Sequence, residues 1–169
     1  MKPIIIYFLL FFSITSFGQE SVEKMKITLE KYVAQKTIHI SDSSIIIDLN
    51  RGKISAPKNC KNKKTGTKDS ERGQLKIADF LIEYDIGFSA GTFIHSGVKD
   101  DYVWYKKTIL KGNDIIIGLQ KTEHKTTLVV TVYGDLDTMC FPANFRAEVK
   151  NETDIKTLLD IAVSYEAKL

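Results

Sequence analysis

Apolar residues recur at helical spacing in two stretches of the chain, one near the start of its body and one near its end. Over residues 20–35 they lie three or four positions apart, which predicts an amphipathic helix. The second stretch follows Asn151, a residue type that caps helices well, and its apolar stripe runs from Ile155 to Val163. The pattern therefore predicts an N-terminal and a C-terminal helix.

Between these helices apolar and polar residues alternate, as in strands that are buried on one face. The alternation predicts about five to six strands, at residues 44–49, 78–86, 102–110, 114–120, 126–133 and 144–150. Short turns separate the last strands, which is typical of an antiparallel meander. We therefore expect an α+β fold with a mainly antiparallel sheet and with both helices packed on one face of it.

The stretch at residues 50–76 has a different composition, since lysine, glycine, asparagine and small polar residues dominate it and no acidic residue occurs before Asp69. This composition predicts a long basic loop. Its lysines are candidates for binding an anionic partner, and we name Lys58, Lys61, Lys63 and Lys64. The alternative is that the charges are simply solvated.

The start of the chain has the order of a secretion signal. Lys2 precedes an almost unbroken apolar run at residues 4–12, and small or polar residues follow as far as Gly18. The run is shorter than the roughly 20 residues that a membrane-spanning helix needs. We expect cleavage after Gly18, which leaves residues 19–169 as a single periplasmic or secreted domain without a transmembrane segment.

The signal that ends in Gly18-Gln19, together with a strand-rich body that closes in a capped helix, resembles small exported proteins of Gram-negative bacteria. This resemblance implies a location and no activity. The chain has 24 Lys and Arg against 21 Asp and Glu, a net charge of +3, which is too mild to indicate nucleic-acid binding. We expect a protein or an anionic envelope component as the partner.

Cys60 and Cys140 are the two cysteines of the chain. In an oxidising compartment such a pair suggests a disulfide. The bond would close a loop of roughly 80 residues and stabilise the fold by about 4–5 kcal/mol in the chain-entropy description. It would also tether the basic loop. Two free thiols are the alternative.

A glycine-rich loop carries the weak candidates for catalysis. Residues 87–91 have the G-x-S-x-G spacing that places a nucleophile, here Ser89, at a sharp turn in some hydrolases. His95, with Asp100 or Asp101, could act as a general base. The helix that should follow such a serine is not predicted, so a structural bend is the simpler interpretation. We expect a binding protein rather than an enzyme.

Aromatic residues around the same loop are candidates for lining a binding groove, because tyrosine and tryptophan are favoured anchors. They are Phe88, Phe93, Tyr102, Trp104 and Tyr105. Strand alternation places Tyr102 and Trp104 on one face and Tyr105 on the other. The histidines lack metal-ligand spacing, so we expect neither a metal nor another cofactor.

The first hypothesis for function is an exported binding protein, such as an inhibitor or immunity-type protein that binds another protein. One alternative is a small periplasmic hydrolase that uses Ser89 or His95 with Asp100 or Asp101. The other is an envelope protein that binds glycan or lipid through its aromatic strand.

Overall fold

The computed structural model describes residues 21–35, 43–66, 70–87, 101–133 and 142–168. These residues form two helices and ten strands, so the α+β class is confirmed, although the strands are more numerous than expected. The helices are α1, residues 21–35, and α2, Glu152–Val163. The strands are β1 Ser44–Leu49, β2 Gly52–Pro57, β3 Lys61–Lys64, β4 Glu71–Ile77, β5 Phe80–Ile86, β6 Trp104–Leu110, β7 Asn113–Lys121, β8 Thr126–Tyr133, β9 Ala143–Glu148 and β10 Glu166–Ala167.

The strands form two antiparallel sheets. The larger sheet has seven strands in the order β3-β4-β5-β9-β8-β7-β6, and the smaller has three in the order β1-β2-β10. The larger sheet consists of two meanders, β3 to β5 and β6 to β9, which are joined where β5 pairs with β9. Its edges are therefore β3 and β6. The predicted signal peptide lies outside the described residues, and within them no helix is long and apolar enough to cross a membrane.

One hydrophobic core joins both helices to both sheets. Alternate residues of the central strands, such as Ile117, Val130 and Phe145, are completely buried on one face of the large sheet. Helix α2 contacts β2, β8 and β9, so it lies between the two sheets. Helix α1 adds Leu29 and Met25 to the same core. The face of the large sheet turned away from this core is called the outer face below.

The expectation of a loop at residues 50–76 is wrong, because β2, β3 and β4 occupy most of this stretch. Strand β2 buries one large apolar side chain, Ile54, between the small residues Gly52 and Ala56, and β3 buries no large apolar side chain. Strand β4 contains Gly73, where a Cβ atom would lie 2.3 Å from the Tyr84 hydroxyl. Small and polar residues are therefore required here by close packing, although their composition is typical of a loop.

The predicted disulfide is not formed in this structure, in which Cys60 is a free thiol. Its side chain is 9% exposed and belongs to the hydrophobic core, where it packs as a small apolar group. Burial raises the pKa of the Cys60 thiol. Cys140 lies outside the described residues. Because β3 is held by backbone pairing with β4, this segment needs no covalent tether.

The buried carboxylate of Glu71 connects the two sheets. It accepts a hydrogen bond of 3.2 Å from the Arg51 N–H, in the turn between β1 and β2, and forms an ion pair of 3.1 Å with Lys64 on β3. Lys64 also donates to Asn50 Oδ1 at 3.1 Å. The small sheet is thus attached to one end of the large sheet by a charged group that is 5% exposed.

Candidate functional site

A buried polar row supports the outer face at the centre of the large sheet. Thr131 Oγ1 donates to Asn144 Oδ1 at 2.7 Å, and Asn144 Nδ2 lies 3.4 Å from the backbone carbonyl of Asp85. Arg72 Nε donates to Asp85 Oδ2 at 2.8 Å. Thr131 and Asn144 are fully buried and Asp85 is 4% exposed. These bonds link β4, β5, β9 and β8 through their side chains, which makes the outer face a rigid platform.

Beside this row the outer face contains a groove of about 700 Å³. It crosses β5, β9, β8 and β7 where these strands approach the start of α2. Its lining includes Leu81, Glu83, Val129, Arg146 and Glu148. Because these residues lie on neighbouring strands with fixed register, their spacing is set by backbone hydrogen bonds rather than by loop conformation.

The groove combines an ion pair with an exposed apolar side chain. Glu83 and Arg146 are cross-strand partners, and Arg146 Nε lies 2.5 Å from Glu83 Oε2. Their side chains are 40% and 51% exposed, so the pair adds little stability but holds both charges in a defined orientation. Leu81 precedes Glu83 by two positions, which places it on the same face, and it is 43% exposed. The groove therefore presents an exposed apolar side chain beside one negative and one positive charge.

The start of α2 forms one rim of the groove. Asn151 Oδ1 accepts a hydrogen bond of 3.0 Å from the Asp154 N–H, and Asp154 Oδ2 accepts one of 2.8 Å from the Lys150 N–H. This reciprocal arrangement satisfies the free backbone donors at the helix start and confirms the predicted cap at Asn151. The polar groups of this rim are thus committed to holding the helix in place.

The predicted basic cluster is divided between two faces of β3. Lys64 points to the inner side, where it pairs with Glu71. Lys61 and Lys63 are exposed on the outer face, and Lys61 lies directly opposite Lys76 of β4. We call Lys61, Lys63 and Lys76 the basic strip. Lys58 is exposed in the turn that precedes β3.

The predicted aromatic cluster is also divided. Trp104 packs against the core, and its Nε1 donates to Glu30 Oε1 of α1 at 2.8 Å. Lys106 donates to the other oxygen of Glu30, also at 2.8 Å, and these two bonds hold the pKa of Glu30 below its ordinary value. Tyr102 packs on the outer face with Tyr105, their ring centroids 6.0 Å apart. The expected pairing of Tyr102 with Trp104 is wrong, because β6 begins at Trp104 and the alternation does not extend to Tyr102.

Tyr105 belongs to the same row of the outer face as the groove. The row runs across five strands through successive cross-strand partners: Glu83, Arg146, Val129, Gly118 and Tyr105. Burial, and then the charge of Asp101, raise the pKa of Tyr102 beside this row. The aromatic pair thus continues the groove surface toward β6.

The catalytic candidates Ser89, His95 and Asp100 lie outside the described residues. The same holds for Phe88 and Phe93. Asp101 is exposed. Within the described ranges no group of three His, Cys, Asp or Glu side chains could hold a metal ion.

Sequence reasoning missed the groove residues Leu81, Glu83 and Arg146, and also Lys76. Each has an ordinary strand context in the sequence, and only the strand register reveals which of them are neighbours. No known protein family matches the chain, and no curated protein matches it with significant similarity.

Proposed function

We propose that the chain is a non-enzymatic binding protein that acts outside the cytoplasm and holds another protein at the groove of its outer face. The groove carries this proposal, because it places the exposed Leu81 beside the Glu83–Arg146 pair on a rigid sheet. The secretion signal predicted at residues 1–18 supports the location.

The rigidity of the groove favours binding. Its lining residues project from paired strands, and the buried row of Asp85, Asn144 and Thr131 lies immediately beside them. A surface that is already ordered loses little conformational entropy when a partner docks, so more of the contact energy contributes to affinity. In most protease–inhibitor complexes the interface backbone likewise moves little on binding.

The size and chemistry of the face favour a protein partner. Neighbouring strands are about 4.8 Å apart, so the five strands between Glu83 and Tyr105 extend the surface over about 20 Å. A standard protein interface buries about 800 Å² on each side, a patch roughly 28 Å across, so the row covers most of that width. The row begins with the charged Glu83 and Arg146 and ends with the aromatic Tyr105, and the residues between them are buried. Tyrosine and arginine are both enriched in protein interfaces.

The test is site-specific photocrosslinking in the cells that produce the protein. A photoreactive phenylalanine analogue replaces Leu81 in the groove, and a control replaces Ile46, which is 65% exposed on the small sheet. We expect a discrete protein adduct from position 81 that is absent at position 46. No adduct at position 81, or equal adducts at both positions, would contradict the proposal.

A further inference from the structure

The basic strip is continuous with the groove. Lys61 is the cross-strand partner of Lys76, and Lys76 is the cross-strand partner of Leu81. Paired residues of antiparallel strands point to the same face, so the three side chains form one row across β3, β4 and β5. The row spans about 10 Å, since adjacent strands are about 4.8 Å apart.

The basic strip brings three positive charges together, and no acidic side chain of the described residues forms an ion pair with them. Like charges that face each other across two strands destabilise a sheet. Within the described residues, none of Lys61, Lys63 and Lys76 forms an ion pair, whereas Lys53, Lys64 and Lys106 each do. The repulsion between these lysines therefore costs folding free energy, and packing does not require lysine at these exposed positions. Such a cost is expected where the lysines serve to bind a partner.

We propose that the partner held in the groove presents an acidic segment, with carboxylates over the basic strip and an apolar side chain on Leu81. This inference depends on the proposed function of the groove. The charge of the strip then contributes both to the rate at which the partner is captured and to its orientation, because complementary charges steer association.

The neighbouring charges favour an acidic polypeptide over a polyanionic surface. The charged residues that line the groove include four acidic and three basic side chains, so an excess of positive charge is confined to the basic strip. They are Asp79, Glu83, Glu148 and Asp154, and Lys125, Arg146 and Lys150. An anionic glycan or lipid headgroup layer lying flat across this face would meet those carboxylates and be repelled. A protein segment can place its own carboxylates on the lysines alone. It also offers an apolar side chain for Leu81.

The first experiment measures binding of defined probes by fluorescence anisotropy. The probes are a labelled octapeptide of alternating Glu and Leu, and its Lys–Leu counterpart. The test variant combines Lys61→Glu with Lys76→Glu. The control combines Lys31→Glu with Lys111→Glu, which makes the same change of net charge at exposed positions on α1 and in the turn between β6 and β7, away from the groove. Circular dichroism confirms that both variants are folded.

We expect the acidic peptide to bind the wild type, and to bind the test variant at least about tenfold more weakly, with the control close to the wild type. Raising NaCl from about 50 to about 200 mM should also weaken this binding. Equal binding to test and control variants overturns the inference. So does preferential binding of heparin, or of phosphatidylcholine vesicles with roughly one third phosphatidylglycerol.

The same charge reversals are then placed in the Leu81 crosslinking background. An adduct that forms in the wild type and is lost only in the Lys61→Glu, Lys76→Glu variant supports the acidic segment. An adduct that persists in that variant overturns the inference and leaves the groove function intact. If the wild type forms no adduct, the groove function itself fails. A variant that self-associates more than the wild type, but binds the peptide equally well, would also overturn the inference. The lysines would then serve to protect the edge strand β3 from pairing with another sheet.

Discussion

The phenol of Tyr32 on α1 donates a hydrogen bond of 2.6 Å to the carboxylate of Asp160 on α2. These helices come from opposite ends of the described chain, and the bond connects them over the core side of the large sheet. Burial and the adjacent carboxylate raise the pKa of Tyr32, so its hydroxyl keeps its proton and acts as a donor throughout the neutral range. The contact therefore holds the helical layer that supports the groove from behind.

Replacing Tyr32 with phenylalanine should lower the free energy of unfolding by about 1–2 kcal/mol, because the hydrogen bond between the two helices is lost while the aromatic ring is kept. Urea denaturation followed by circular dichroism measures the change. In a double-mutant cycle with Asp160→Ala, which removes the acceptor, the two effects should not add. Full additivity would show that the bond does not couple the helices.

Two lysines with different surroundings test the attachment of the small sheet. Lys64→Ala should cost about 1–3 kcal/mol, since it deprives the buried Glu71 of its ion pair. Lys53→Ala removes a pair with Glu166 whose side chains are 51% and 67% exposed, so it should destabilise the fold much less than Lys64→Ala does. Chemical denaturation of both variants compares them directly, and equal losses would contradict a structural role for Glu71.

The meander and both helices are the parts of the fold that the sequence pattern predicts well. The expected strand at residues 126–133 coincides with β8, and the turn at Lys111-Gly112 has the positive φ values of a tight hairpin, 51° and 81°. β-Branched and other apolar residues form short continuous runs in this region, and the runs 115–119 and 128–132 are buried on both faces of the sheet. Such runs, bounded by turn residues, are typical of buried strands, and this is why the pattern predicts them well.

The basic strand and the groove could not be predicted in the same way. Strand β3 contains Lys61, Asn62, Lys63 and Lys64, and it buries no large apolar residue, so its sequence has no strand pattern. It is held instead by backbone pairing and by the hydrogen bond of 3.0 Å that Tyr84 donates to Asn62. Glu83 and Arg146 are 63 positions apart, and only the register of β5 with β9 makes them neighbours.

The burial of Cys60 predicts slow thiol chemistry. Because the thiol is 9% exposed and its pKa is raised, iodoacetamide should label Cys60 slowly in the native protein and rapidly in denaturant. Peptide mapping by mass spectrometry measures both rates at this residue. The free energy of unfolding should be the same with and without reductant. A Cys60–Cys140 peptide in a non-reduced digest would contradict the free thiol.

The buried Tyr84 makes the fold sensitive to alkaline pH. Burial, and then the charge of Glu71, raise the pKa of Tyr84 from 10.0 to about 12, although the bond to Asn62 opposes the shift. A pKa that is higher in the folded than in the unfolded protein stabilises the fold fully below pH 10.0, and this stability is lost as the pH rises toward 12. The loss should amount to about 2–3 kcal/mol.

The Tyr84→Phe variant tests this prediction, because it keeps the aromatic ring and removes the titrating hydroxyl. Lysine side chains also titrate in this pH range, but they do so in the wild type and in the variant alike. Denaturant unfolding should therefore show that the stability difference between wild type and variant shifts in favour of the variant across this window. A difference that does not change with pH would refute the role of Tyr84.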